Sequence, residues 1–341
     1  MLVIHQTNLD GHRAEYVEHI LNWANQRGME SMIWIESAKL EDLRSRFPPT
    51  SLSQLRRVGQ ISRKVLYELN LDPAKTKIVF LDGDNALQFA SNNFLRFRGY
   101  KSYFLLLRAN RPVGALQIVP WIKFLAKISL AAVFSASPVL SVKKLVFLNR
   151  RSQEFLRGVR DPLYTKSAPA STTVIKNRQH LVKVGVVGTL DPRKSIDLAI
   201  KAVEKLGDGF QLHLVGKVSK DFEVELKNLT KDKSFVHLRP GLLSEQELDA
   251  RILELDCFLV LQQTNAPSGT LLKALSFGVP VVLGGAKVLK PAAKKYPGNV
   301  TWTRLHWEDV ARSIQQAVSK KATPISDLPN AQHFAEDLLG S

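Results

Sequence analysis

Short, almost wholly apolar runs recur along this chain, and longer segments with one apolar face lie between them. LVIHQ, SMIWIE, KIVFLDGD and SYFLLLR in the first half are too unbroken for strands wetted on one side, as are VKVGVVG, FQLHLVG, DCFLVLQ and VPVVLGG in the second. The intervening RAEYVEHILNWANQRG, NALQFASNNFLRFRG, SIDLAIKAVEKLG and SEQELDARILEL space their apolar residues as helices do. A strand that is apolar on both faces must be covered on both, and alternating helices do this around a parallel sheet. The pattern predicts an α/β chain. Its 341 residues suffice for two domains with separate cores. The polar stretch TKSAPASTTVIKNRQH, 165–180, suits a linker between them. The expected layout is two tandem Rossmann-like, doubly wound domains, 1–170 and 171–322, facing each other across a cleft. The tail 323–341 is free to cross back to the first. Ligands of such folds gather at the carboxyl ends of the strands. No internal sequence repeat relates the two halves.

Composition excludes several classes. With 45% hydrophobic and 23% charged residues the chain is globular rather than disordered. Its one cysteine, Cys257, lies in an apolar run, which excludes a disulfide framework and fits a reducing compartment. The start MLVIHQTNLDGH lacks the basic flank and apolar core of a signal peptide and reads as a strand entering a loop. No run reaches the ~18 apolar residues of a spanning helix, so a cytoplasmic protein is expected. The formal charge of +17 is uneven: residues 1–170 hold 25 basic against 13 acidic residues, the remainder 23 against 18. That points to an anionic partner, lipid headgroups or nucleic acid. RGYKSYF sets aromatics beside basic residues but lacks the small residue an RNA-stacking motif places between them. A buried strand explains it better, and nucleic acid is set aside. ALQIVPWIKFLAKISLAAVF, 115–134, carries Lys123 and Lys127 on one helical face with Trp121 as an anchor type. It reads either as a core helix of the first domain or as a helix lying in the headgroup layer of an inner membrane face.

Three loops at strand ends in the second half bear on chemistry. GTLDPRKS, 188–195, follows a buried strand, and its glycine admits a ligand to the backbone while Arg193 and Lys194 bring two cations to one helix entrance. That suits a diphosphate, although a surface turn with solvated charges fits this loop alone equally well. In HLRPGLLSEQEL, Gly241 follows a strand and Ser244 with Glu247 forms a capping box. In APSGTLLKALSFGVPVVLGG, 266–285, Ser268 can cap a helix whose first amides, on Gly269, Thr270 and Leu271, lack helical partners. Such amides and the helix dipole attract an anion, each contact contributing roughly 0.3–2 kcal/mol.

In order, these loops resemble the donor-binding half of retaining GT-B-fold glycosyltransferases of group 1 (family 4). The likeness runs from Lys183 to about Ala317, and the first half matches in layout only. It implies that Arg193 and Lys194 bind phosphate, that Gly269, Thr270 and Leu271 cradle the distal phosphate, and that Gly188 lets the nucleotide approach. It implies a base near Arg239–Leu243, a nucleotide sugar such as a UDP- or GDP-sugar as substrate, and neither cofactor nor metal. The chain departs from the family at three places. Two glutamates eight positions apart become Asn265 and Lys273, and an arginine that often follows the glycine becomes Thr189. The helix glutamate of relatives bonds ribose hydroxyls; lysine has donors only and cannot accept in its place. Lys273 is therefore expected either to donate to a hydroxyl or attract phosphate, or to lie solvated. Asn265, able to bond sugar hydroxyls, and Thr189 stay donor-side candidates. In the first half His12, beside Gly11 in the first loop, is a cleft candidate. Arg108 and Arg111 occupy the strand exit where some relatives place a histidine, and Asp82 and Asp84 are either acceptor-hydroxyl partners or turn and cap residues.

The expected function is transfer of a hexosyl group from a nucleotide sugar to a hydroxyl acceptor, a glycan or a lipid-linked glycan, in cell-surface polysaccharide synthesis. The alternative is a noncatalytic GT-B scaffold in glycan assembly, which the exchanged glutamates favour. A nucleotide-sugar epimerase would need acid/base groups in the cleft that the sequence does not assemble.

Overall fold

A computed structural model describes residues 1–6, 13–35, 55–57, 71–84, 86–87, 99–107, 118–146, 148, 156–163, 181–265 and 268–340. Two compact units emerge, residues 1–162 with 329–341, and residues 163–328.

The first unit holds β1 (Leu2–Gln6), α1 (Arg13–Gln26), β2 (Ser31–Ile35), β3 (Leu55–Arg57), β4 (Lys77–Phe80), β5 (Lys101–Leu106), α2 (Ile118–Ser135), β6 (Leu140–Val146) and β7 (Arg157–Arg160). All pairings are parallel, in the order β3-β2-β1-β4-β5-β6-β7. The alternation of side chains across the pleat sorts the strands' apolar residues into two cores. Leu2, Ile4, Val79 and Leu105 meet α1, which buries Tyr16, Val17, Ile20, Leu21 and Ala24. Val3, Phe80, Phe104 and Val142 face the other way, toward Ala131 and Phe134 of α2. Each such side chain fully buried contributes roughly 1.5–3 kcal/mol.

Residues 331–339 form a helix of this unit rather than a tail. It spans Ala331–Leu339 and is capped by Asn330, whose side chain accepts from the His333 amide at 3.0 Å. Phe334 stacks on Tyr16 with ring centroids 5.0 Å apart. Asp337 takes two bonds from Arg160, at 2.6 and 3.1 Å, and its carbonyl accepts from Lys143 at 2.7 Å. A bidentate pair with a buried carboxylate fixes position as well as adding stability.

The second unit runs β8 (Val182–Val187), α3 (Ile196–Leu206), β9 (Phe210–Gly216), α4 (Glu223–Thr230), β10 (Val236–Pro240), α5 (Glu245–Leu253), β11 (Cys257–Leu261), α6 (Gly269–Ser276), β12 (Val281–Gly284), α7 (Lys290–Lys295), β13 (Val300–Thr303) and α8 (Trp307–Val318). Its sheet is parallel throughout, ordered β10-β9-β8-β11-β12-β13. The chain winds outward from β8 in one direction and returns to its other side at β11. Such a reversal opens a crevice at the carboxyl edge, between the loops that leave β8 and β11.

Candidate functional site

Backbone contact welds the loops at that crevice. Gly188 leaves β8 at φ +108° and donates its amide to the Val215 carbonyl at 2.9 Å. Gly216, at φ +133°, packs so closely that a Cβ there would stand 2.1 Å from the Gly188 carbonyl oxygen. Gly241 in turn donates to the Gly216 carbonyl at 3.1 Å. Only glycines permit both the positive φ and the approach.

After Gly188 the chain makes one tight turn, Pro192–Lys194, capped by Asp191, which accepts from the Arg193 amide at 2.9 Å. Ser195, fully buried, ends the turn in the left-handed region at φ 47° and ψ 47°, and Gln263 donates to its hydroxyl at 3.2 Å. A left-handed serine costs about 1–3 kcal/mol.

The two cations expected to act together part here. Arg193 folds back onto Asp191, at 3.1 and 2.7 Å, and stays 65% exposed. Lys194 instead turns into the crevice, which it lines with Val187, Leu261, Gln262, Ser268 and Thr270. Its ammonium is 3.4 Å from where a Gly188 Cβ would be, and Thr270 Cγ2 is 3.5 Å from that same point, so the three residues converge. Among the described residues no hydrogen bond or ion pair engages Lys194 Nζ. Burial lowers its pKa from 10.5 to about 8, with Asp191 pulling weakly the other way and Arg193 adding to the fall.

Across the crevice α6 begins. Ser268 makes no capping bond to an amide, and its hydroxyl meets that of Thr270 at 3.2 Å. The Leu271 amide, expected to be open, donates to the Ser268 carbonyl at 3.1 Å because the first turn is tight. That leaves Gly269 and Thr270 as the open donors among the described residues. An unpaired ammonium and an uncapped helix start thus face the same space, and both favour an anion.

Other expected residues stand elsewhere. Thr189 is exposed beside Gly188. Asn265 accepts from the Lys287 amide at 2.9 Å, so its side chain braces a loop. Lys273 is 1% exposed and ion-paired at 2.7 Å with both Asp249 and Glu245 of α5, which rules out a solvated or ligand-facing ammonium. Its need for counter-charges was the only hint in the sequence of these two carboxylates. The Ser244–Glu247 capping box forms as expected. In the first unit Asp82 pairs with Arg13 at 3.0 Å, and Asp84 with Lys127 at 2.6 Å while accepting the Leu107 amide at 2.7 Å. Both carboxylates therefore already hold partners, and Lys127 is not spare for a surface. Gly11, His12, Arg108 and Arg111 lie outside the described residues, as does the expected linker.

Residues 174–333 match the family of glycosyl transferases group 1. No curated protein matches the chain in sequence. Among solved structures, Anabaena Alr3699/HepE in complex with UDP is 15% identical over 99% of this chain and 94% of that one, with a TM-score of 0.69. WaaG, a glycosyltransferase involved in lipopolysaccharide biosynthesis, is 15% identical over 100% and 96%, with a TM-score of 0.58. A glycosyltransferase from Rickettsia africae ESF-5 is 12% identical over 98% and 91%, with a TM-score of 0.65. At such identities the likeness is one of fold, two Rossmann-like units in one chain.

Proposed function

We propose that this chain, of which residues 174–333 match the glycosyl transferases group 1 family, moves a hexosyl group from a nucleotide sugar to an acceptor hydroxyl with retention at the anomeric carbon. One observation carries the reading: the half-buried Lys194 lines the crevice at the open start of α6 and is engaged by no ion pair among the described residues. A partly desolvated charge without a partner costs stability, and a scaffold that binds nothing has no use for it. For that reason the noncatalytic alternative is not favoured.

As the bond from sugar to diphosphate breaks, its electron pair passes to the leaving oxygen. Lys194 and the Gly269 and Thr270 amides then stabilise the growing negative charge, while the acceptor hydroxyl attacks from the face the diphosphate leaves and passes its proton to the departing phosphate oxygen. Preorganised charge of this kind is commonly the largest catalytic contribution, and the scheme asks for neither metal nor covalent nucleophile. Arg193, bound to Asp191, supplies the outer field of the site. UDP is the nucleotide bound in the HepE structure and the first to test here. On the acceptor side Gly11, His12, Arg108 and Arg111 are kept as candidates, and Asp82 and Asp84 as carboxylates that would have to share an acceptor hydroxyl with the partners they already hold. Turnover of a panel of nucleotide sugars with membrane extract tests the activity; no transfer from any donor would contradict it.

We further propose a cell-surface or lipid-linked glycan as acceptor and the cytoplasmic face of a membrane as the place of reaction. WaaG, of like fold, acts in lipopolysaccharide biosynthesis, and the free, buried Cys257 thiol, pushed up to about 12 by burial, suits a reducing compartment. Among the described residues no helix is long and apolar enough to cross a membrane. α2 offers another mode of contact. While Phe124, Ala131 and Phe134 are buried, Ile122, Leu125 and Val133 are 60%, 55% and 67% exposed. From Asp84 to Glu154 the chain contains 11 Lys or Arg and no acidic residue between these ends. An apolar stripe within a basic stretch fits an anionic headgroup layer. Cosedimentation with vesicles containing anionic lipid is expected, weakening as salt rises. Leu125→Glu with Val133→Glu should lower it about tenfold or more; unaltered binding would reject this contact.

A further inference from the structure

Ser195 departs from two local rules at once. Among the described residues only Ser195 and Asp232 are non-glycines at positive φ. Aspartate tolerates that region because its short side chain bonds locally, and serine is less suited to it. Ser195 also stands at the start of α3, where a serine hydroxyl ordinarily accepts from a helix amide, yet here it caps nothing. Both departures cost stability, and such a conformation persists only where the surrounding structure holds it. Ser195 is fully buried.

Gln263 is what holds it. The Gln263 side-chain amide donates to Ser195 Oγ at 3.2 Å, and its backbone amide donates to the Arg193 carbonyl at 2.8 Å. Lys194 lies between these two points of attachment. Gln263 itself follows directly on Gln262, which lines the crevice with Lys194, and the same loop runs on to Ser268 at the start of α6. The left-handed residue also redirects the chain. Lys194 ends the tight turn, and the Leu198 and Ala199 amides begin α3 on the Ser195 carbonyl at 3.1 and 3.2 Å. A right-handed Ser195 would run the turn straight into α3 and carry the Lys194 side chain to another direction.

We propose that Ser195 and Gln263 are positioning residues for Lys194, their hydrogen bond fixing the ammonium in the crevice beside the open amides of Gly269 and Thr270 before any diphosphate arrives. The inference rests on the nucleotide-sugar reading above. Neither residue is asked to touch the ligand. A lysine side chain has many rotamers, and ordering it on binding would weaken affinity; a backbone clamped on both sides of Lys194 restricts that freedom in advance. Charge placed beforehand also stabilises a leaving group without reorganisation. The strain at Ser195 and the bond from Gln263 are then two parts of one device, the first turning Lys194 inward and the second keeping it there.

Titration calorimetry of the full chain with UDP, beside thermal melting, tests it. Gln263→Ala keeps the backbone bond and removes the side-chain one, and should weaken UDP roughly 3- to 10-fold, the scale of one hydrogen bond. Ser195→Gly removes the same bond at a residue that adopts positive φ freely, so its melting temperature should change little while UDP weakens to a similar degree. The double variant should lose no more than either single one, since both delete one interaction. In a Lys194→Met background Gln263→Ala should alter UDP affinity by less than about twofold, because the pair acts through that lysine. Full UDP affinity in either single variant, or a loss from Gln263→Ala that persists in the Lys194→Met background, would overturn the assignment and leave the nucleotide-sugar reading intact. Absence of UDP binding by the unmodified chain would overturn both.

Discussion

Lys194→Met is expected to raise the melting temperature while removing most nucleotide affinity. In the folded chain Lys194 is half-buried with no ion-pair partner among the described residues, and desolvation lowers its pKa from 10.5 to about 8. A lysine with a depressed folded pKa binds fewer protons folded than unfolded between those two values. Stability therefore rises with pH across that window, and the penalty is fully present below pH 8. Methionine keeps the aliphatic stem and removes the charge, so at pH 7 the gain should be roughly 1–2 kcal/mol, the usual yield of one relieved site. Affinity moves the other way. Losing a charge-assisted contact to a diphosphate should weaken UDP on the order of 10- to 100-fold. The pH profile is a second readout of the same residue. A diphosphate binds the charged lysine, so affinity of the unmodified chain should drop as pH rises through about 8, and that drop should vanish in Lys194→Met. A destabilised variant that still binds UDP would mean that Lys194 is a structural residue.

Gly216→Ala is expected to damage the second unit more than any other single methyl group discussed here. The added carbon would stand 2.1 Å from the Gly188 carbonyl oxygen, a backbone atom that cannot turn aside, at a φ of +133° that L-residues rarely adopt. Loss of about 3 kcal/mol or more follows from strain and overlap together, with displacement of the Gly188 loop and loss of the phosphate site. Two other glycines calibrate the figure. At Gly207, φ +80°, a methyl group meets nothing within 4 Å, so alanine should cost only about 1 kcal/mol of backbone strain. At Gly185 the close neighbour, 2.5 Å away, is the side chain of Leu255, which can shift. Denaturant unfolding should rank the losses Gly216 first, with Gly185 and Gly207 well below. Equal losses at Gly216 and Gly207 would show that the backbone contact does not matter.

Periodicity made most of the architecture legible. Unbroken apolar runs can only be strands covered on both faces, and the parallel sheets follow from that. Residues whose role depends on a neighbour's side chain were harder to read. Arg193 and Lys194 are adjacent and alike in sequence, yet Asp191 captures one and leaves the other for the crevice. Nothing in spacing tells which, although Asp-Pro-Arg is a turn-capping sequence. Lys273 read as exposed or ligand-facing because its counter-charges, Glu245 and Asp249, are more than 20 positions away. The last helix was missed because its apolar face, Phe334, Ala335, Leu338 and Leu339, is short and its partner α1 is at the other end of the chain. The open helix start was read directly, since a Ser-Gly entry into an apolar helix carries its own local chemistry, but the tight first turn closed one of the three amides.

The central claim is that a diphosphate lodges between Lys194 and the start of α6. Diffraction from crystals of the chain grown with UDP addresses it most directly. Phosphate oxygens within hydrogen-bond distance of Lys194 Nζ and of the Gly269 and Thr270 amides are the expected result. Ordered UDP whose phosphates lie away from both Lys194 and α6 would contradict it.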